Sequence, residues 1–449
     1  MSPSFMDPMI LSARQQFSEL SPTDTFFFFI SLLCPLFLFA YGLLLSLSPS
    51  SPEILPNERK YVSSLDPKSL LPLPSTLSSS GRNEPPSLAL SIIVPAYNEK
   101  LRLPPMLQEV HDWMTDDART VEEVYGSVGG TGKDRLKNWE LIVVDDGSSD
   151  GTDLVALEIG RKWELKGWKG SEKRGLGRGE LRIISLENNR GKGGAVKHGI
   201  LHSRGARVLF ADADGASTFS SLSLLQNDLD KIEVTLSPSP SSSSNAASAT
   251  ATASSTSDRS GATVRKRGAP NNVNARVASQ KDRSYGVAIG SRAHLVETDL
   301  VVKRSFVRNC LMHGFHLFVR TLGVRNIRDT QCGFKLFTRD TAGILFERMH
   351  LERWSFDVEL LVLADYCQLW DPSTMKTKKF PIPIKESPIK WQEIPGSKIN
   401  LAWDSFCMAR DLIILRVYLG VGRWEIPIID QPRDPREEAR GAQDWVREQ

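Results

Sequence analysis

An α/β fold, with a mainly parallel sheet and helices on both faces, is what this sequence predicts. Four short apolar runs carry that expectation: Leu88–Pro95, Trp139–Val144, Leu181–Leu186 and Arg207–Ala211. Each has the length of a buried central strand, and helical patterns, such as Leu103–Met114, separate them. Each also ends in polar residues, and in such sheets ligands bind at the carboxyl ends of the strands.

Ahead of the first strand the chain divides into a tail (1–25), an uncharged apolar run (Phe26–Leu47) and a Ser- and Pro-rich stretch (48–87). At helical rise the apolar run just spans a hydrocarbon core of about 30 Å, so it reads as one N-terminal transmembrane helix. A signal peptide and a buried helix are the alternatives; Asp7, Glu19 and Asp24 ahead of the run argue against the basic start of a signal. Arg59, Lys60 and Lys68 beyond it place the main domain on the cytosolic side. Residues 48–87 read as a flexible stalk.

The main domain is expected over 88–398. Three polar stretches within it read as insertions: Glu122–Lys137, Gly160–Gly179 and the Ser/Ala/Thr-rich 237–281, the last too poor in apolar residues to order itself. Order is expected to return at Ser284–Ser291 and in a helix over Phe306–Leu322. A helix and tail close the chain over 399–449, the helix either docked on the core or lying on a membrane surface.

The 449 residues carry a formal net charge of only +3, without a Lys/Arg stripe interleaved with aromatics, so nucleic acid is not the expected partner. The five cysteines lie far apart, with neither metal-ligand spacing nor a disulfide framework.

Chemistry gathers at the strand ends. Asp212 and Asp214 follow the fourth strand one residue apart. Paired carboxylates there suit Mg2+ or Mn2+ bridging a diphosphate, although a solvated turn would look the same. Val94-Pro95-Ala96-Tyr97-Asn98-Glu99 and Asp145-Asp146-Gly147 close the first two strands; their carboxylates suit a base N–H or ribose hydroxyls, or equally a cap or turn. Asn189-Arg190-Gly191-Lys192-Gly193-Gly194 opens a helix, where exposed N–H groups with Arg190 or Lys192 suit a diphosphate, or form a simple basic turn.

Together these four motifs resemble glycosyltransferase family 2, over roughly Leu88–Trp391 apart from the insertions. Arg328-Asp329-Thr330-Gln331-Cys332-Gly333-Phe334-Lys335-Leu336-Phe337, Arg353–Leu361 and Trp391–Lys398 resemble its polyprenyl-phosphate branch, the dolichyl-phosphate glucosyltransferase group most of all. The resemblance implies a GT-A, Rossmann-like fold and glucose transfer from UDP-glucose to dolichyl phosphate with inversion, feeding N-glycan precursor assembly. It implies a metal ion held by Asp212 and Asp214, and a nucleotide pocket lined by Pro95, Tyr97, Glu99, Asp145 and Asp146, with Arg190 and Lys192 nearby. Arg328, Asp329 and Gln331 fall on the acceptor side. Arg328 either neutralises an acceptor phosphate or forms a structural ion pair; Asp329 orients, or serves as a base. Cys332 reads as a packed small residue. The lipid bilayer is the implied partner, and a single-pass endoplasmic reticulum protein facing the cytosol the implied location. Mannose transfer from GDP-mannose, another polyprenyl-phosphate glycosyltransferase activity, and a noncatalytic, membrane-tethered nucleotide-sugar sensor or scaffold remain alternatives.

Overall fold

The computed structural model describes residues 21–46, 48, 53–74, 77, 85–116, 118–128, 136–166, 177–236, 282–295, 327–396 and 401–430. The stretch 237–281, the helix expected at Phe306–Leu322 and most of the N-terminal tail lie outside them.

In chain order the elements begin with α1 (Pro22–Ser46), β1 (Lys60–Ser63), β2 (Leu70–Pro72), β3 (Leu88–Ala96), α2 (Leu103–Thr115) and α3 (Val121–Tyr125). Next come β4 (Trp139–Asp145), α4 (Thr152–Lys166), β5 (Gly179–Ser185), α5 (Lys192–Leu201), β6 (Gly205–Ala211) and α6 (Leu222–Ile232). β7 (Val234–Leu236), β8 (Arg283–Tyr285), β9 (Val287–Ser291), β10 (Phe334–Thr338), α7 (Arg339–Glu347) and α8 (Phe356–Tyr366) follow. The chain closes with β11 (Gln368–Asp371), β12 (Lys376–Lys379), β13 (Ile384–Pro388), α9 (Leu401–Gly420) and β14 (Ile428–Ile429).

The main sheet has nine strands in the order β13-β9-β10-β6-β3-β4-β5-β1-β2. Its centre is parallel, as the four apolar runs predict, and β13 also runs parallel to β9. β10 is antiparallel to both its neighbours, and β1 to β5 and β2, so the sheet is mixed rather than mainly parallel. Side-chain alternation sends Ile93, Ile142, Val144, Ile184 and Phe210 into one core layer, against Val196 and Ile200 of α5. It sends Ile92, Val94, Leu141, Val143, Ile183 and Leu209 into the other, against α2 and α6. Burial on both faces is why these strands read as continuous apolar runs.

Two readings of the N-terminal third change. Pro22–Ser46 is helical, with polar Thr23, Asp24 and Thr25 in its first turn and Pro35 inside it. Among the described residues no helix is long and apolar enough to cross a membrane. This corrects the expected transmembrane anchor and, with it, the single-pass topology and the cytosolic orientation. The run Phe26–Leu47 reads as continuously apolar only while Ser31, Pro35 and Gly42 within it are passed over, and the helix adds polar residues ahead of it rather than further apolar ones. The stretch read as a stalk supplies β1 and β2, which extend the sheet beyond β5. Two expected insertions change as well: Glu122–Lys137 begins within α3, which buries Val124 and Tyr125, and the start of Gly160–Gly179 continues α4. At the other end of the chain, α9 buries Leu412, Leu415 and Tyr418 while Trp403, Phe406 and Ile413 face outward.

At the amino-terminal ends of the strands, the buried carboxylate of Glu140 accepts from Ser91 (2.6 Å), Arg182 (2.8 Å) and Arg204 (2.8 Å to Nε and 2.7 Å to the backbone N–H). The two guanidinium groups outweigh desolvation and hold this carboxyl below its usual range. Removing one partner of a buried ion pair leaves the other charge uncompensated. Glu140→Leu should therefore lower unfolding free energy by about 3–5 kcal/mol, read from denaturant unfolding.

Candidate active site

The chain runs β3 to β4 to β5 in one direction across the sheet, then α5 carries it back to β6 on the far side of β3. The crevice at the carboxyl ends of β3 and β6 is thus the topological switch point, the place where such sheets bind ligands. Antiparallel β10 delivers residues 328–333 to the same rim, because Phe334 pairs with Ala211 at the end of β6. β9 ends there as well, leading into Arg292.

On the β3–β4 side, two loops are laced together. Asn98 N–H donates to Ser148 Oγ (2.8 Å), Ser149 N–H to Asn98 Oδ1 (2.9 Å) and Glu99 N–H to Thr152 Oγ1 (2.8 Å). Pro95 is half-buried at the strand end, Tyr97 is exposed, and Glu99 is buried against Arg102, which donates to both its oxygens (2.7 and 2.5 Å). Asp145 accepts from the Ser148 N–H (3.2 Å) and hydroxyl, and burial pushes its carboxyl up. Asp146 accepts the backbone N–H of Arg190 (2.7 Å) and Gly191 (2.9 Å). Burial outweighs those two donors and pushes its carboxyl up to about 7.

The glycine-rich turn differs from its sequence reading. The Arg190 and Gly191 N–H groups go to Asp146, and those of Gly193 and Gly194 go to Arg353 O (3.3 Å) and Glu352 O (2.8 Å). None of these four N–H groups is left to cradle a phosphate. The glycines admit a close neighbour instead: a Cβ on Gly193 would lie 2.7 Å from Phe356 Cβ. The Arg190 side chain is buried and turns away, to Glu58 Oε2 (3.0 Å) and Glu53 O (2.6 Å). Only Lys192 reaches the acidic pair, its Nζ lying 2.7 Å from Asp212 Oδ1.

Beneath Asp212 runs a line of alternating charge. Burial alone would lower the Lys192 ammonium, but Asp212, Asp357 and Asp214 hold it above its usual value. Asp357 is itself buried and bonded to the buried Lys335, whose Nζ also donates to Cys332 O (2.6 Å). The Phe210 ring lies 5.2 Å from one ammonium and 5.8 Å from the other. Asp214 is half-buried, bonded to Ala216 N–H (3.0 Å), and burial and then Asp212 push its carboxyl up. Among the described residues no group of three or more His, Cys, Asp and Glu could hold a metal ion by itself. Asp212 and Asp214 are carboxylates at this rim that could share a divalent cation with a bound phosphate.

On the β9–β10 side, Arg292 is a site residue the sequence reading missed. It grips Asp329 through Nε (2.7 Å), Nη2 (2.8 Å) and its backbone N–H (2.8 Å). Burial would raise the Asp329 carboxyl, but these contacts hold it below its usual range, so it is an ionised partner and a weak base. The Arg292 guanidinium also lies 5.5 Å from the Trp391 ring. Arg328 is exposed, with its backbone N–H on Glu386 Oε1 (2.9 Å), and Gln331 is half-buried. Cys332 is buried, and desolvation pushes its thiol up to about 12, which suits a packed residue and not a nucleophile. Glu359 accepts the His350 and Leu351 backbone N–H groups and is structural. Gly333 is the second missed residue: a Cβ there would fall 1.9 Å from Asp212 Oδ2.

The sequence profile described as Glycosyl transferase family 2 matches residues 91–246. A dolichyl-phosphate beta-glucosyltransferase from Drosophila melanogaster is 40% identical over 367 residues, covering 82% of this chain and 85% of its own. Its namesake from Saccharomyces cerevisiae is 37% identical over 404 residues (89% and 95%). That from Dictyostelium discoideum is 36% identical over 345 residues (77% and 79%).

The raised Asp146 carboxyl gives a pH signature. Protonation is favoured in the folded state, so this group stabilises the fold below pH ~4 and loses that contribution as pH rises through about 7. Unfolding free energy measured against pH should fall across that window, and Asp146→Asn should flatten the slope.

Proposed function

Because the chain belongs to the dolichyl-phosphate β-glucosyltransferase family, we propose that the rim at the β3–β6 switch point transfers glucose from UDP-glucose to dolichyl phosphate with inversion. The observation that carries this reading is the meeting of two charge systems at one rim: Asp212, Asp214 and Lys192 on one side, the Arg292–Asp329 pair on the other.

In this reading Pro95, Tyr97, Glu99, Asp145 and Asp146 form the nucleotide side. The donor diphosphate lies toward Asp212, Asp214 and Lys192. A bound Mg2+ or Mn2+ would be held by Asp212 and Asp214 and would neutralise charge growing on the departing UDP. Lys192 contributes a second positive charge at that point; Arg190, tied to Glu58, supports the loop instead.

The acceptor phosphate lies toward Arg292. Nε and one arm of its guanidinium are taken by Asp329, which fixes the plane of the group and leaves further N–H donors for a phosphate. Arg328 and Gln331 flank this side. A phosphate monoester is largely dianionic near neutral pH, since its second pKa is about 6. It is therefore nucleophilic without proton removal, and an ionised Asp329 acting as an orienting partner meets the need. A sugar hydroxyl acceptor would require a base at this position.

Full-length protein given detergent-dispersed dolichyl phosphate, Mn2+ or Mg2+ and labelled UDP-glucose should place label in the lipid phase. GDP-mannose should not. Asp214→Ala should reduce transfer by about 100-fold or more. Label from GDP-mannose would overturn the sugar, and UDP-glucose binding without transfer to lipid would favour a noncatalytic sensor.

Gly333→Ala tests the contact between the two sides. The added methyl must displace Asp212. Misplacing a reacting-site group by about 1 Å costs about 100-fold, so transfer should fall by that order while the melting temperature changes little.

A further inference from the structure

Glu58 lies outside the strand-end motifs, yet it is fully buried and wired to the loop before α5. Its Oε1 accepts Glu187 N–H (3.0 Å), and its Oε2 accepts Leu55 N–H (2.9 Å) and Arg190 Nη2 (3.0 Å). Asn57 Nδ2 adds a bond to Glu187 Oε1 (2.9 Å), and His198 Nε2 of α5 lies 2.8 Å from Glu58 O. Arg190 Nη2 also reaches Glu53 O (2.6 Å). One carboxylate thus ties both ends of the segment Glu187–Arg190 to a short strap at residues 53–59.

Residues 187–191 reach the rim through Asp146. Their backbone donors at Arg190 and Gly191 take both oxygens of Asp146. Asn189 Nδ2 donates to Asp146 O (3.1 Å), so the loop holds the Asp146 main chain as well as its side chain. The Arg190 side chain is anchored from behind by Glu58 Oε2 and Glu53 O, and its backbone N–H is one of the two donors that set where the Asp146 carboxylate points.

We propose that Glu58 is a positioning residue for the nucleotide donor, acting through Arg190 and the 187–191 loop on Asp146. The strap is therefore part of the donor pocket's support and not only an edge of the sheet. The inference rests on the reading of Asp146 as a wall of the uridine pocket.

The test uses full-length protein, UDP binding by calorimetry, and separate KM and kcat values for donor and acceptor. Glu58→Gln should weaken UDP binding and raise the UDP-glucose KM by about tenfold, the size expected for one lost charge-assisted hydrogen bond. Its kcat and acceptor KM should stay within about twofold, since neither the reacting atoms nor the acceptor side is touched. Arg190→Gln should match it, and the double variant should be no worse than either single one. In an Asp146→Asn background, Glu58→Gln should add nothing. If Glu58→Gln fails to fold, Arg190→Gln carries the same comparison, since it leaves Glu58 bonded to Leu55 and Glu187. A folded variant that binds UDP like the wild type would overturn the proposal. So would equal losses in donor KM, acceptor KM and kcat, the mark of general destabilisation. Wild-type protein that binds no UDP would overturn the donor reading itself, and the proposal with it.

Discussion

Asp146 is the knot on which the rim depends. Its own N–H donates to Ala96 O (2.8 Å), which binds the end of β4 to the end of β3. The neighbouring Asp145 O takes Leu186 N–H (2.8 Å), drawing in the end of β5, and the Asp146 side chain takes two donors from the turn into α5. Three strands and a helix are set in register by one dipeptide. Keeping a carboxyl in so dry a place is costly, which is why it is pushed toward neutral pH. An Asn amide would avoid that cost, but its nitrogen donates and could not accept the second N–H.

A second constraint lies under Asp212. Lys192 faces Asp212 and, more distantly, Asp357, whose own partner is Lys335. Buried ion pairs contribute little net stability, and apolar replacements are often as stable. The alternation of signs serves instead to keep a cation beside Asp212 without leaving any charge alone. Gly333 completes the arrangement from the opposite side, because its missing side chain is the space that Asp212 fills.

The parallel centre of the sheet was legible because strands buried on both faces must be continuously apolar, and the motifs at their ends followed from that. Orientation was not legible. Arg190 beside glycines reads as a phosphate ligand whichever way it turns, and here it turns to Glu58. The Gly193-Gly194 pair reads as an anion cradle, yet it records the approach of Glu352 and Phe356. Arg292 was missed because a single arginine after a strand has no spacing to mark it; its partner Asp329 was visible, but the two are 37 positions apart. Gly333 did carry a signal, a glycine between a cysteine and a strand, whose meaning required knowing that β10 pairs with β6. The stalk reading of 48–87 failed because Ser and Pro richness outweighed the short apolar runs that become β1 and β2.

The hairpin β7–β8 has a bearing on engineering. Leu236 pairs with Arg283, so the chain leaves and re-enters the fold at adjacent points. Doubling the length of a chain that joins two paired points costs only about 0.6 kcal/mol. The Leu236–Arg283 pair also sits at the opposite end of β9 and β10 from Arg292 and Gly333. This is a natural splice point: a reporter domain or affinity handle inserted there would be carried as a passenger, without reshaping the sheet.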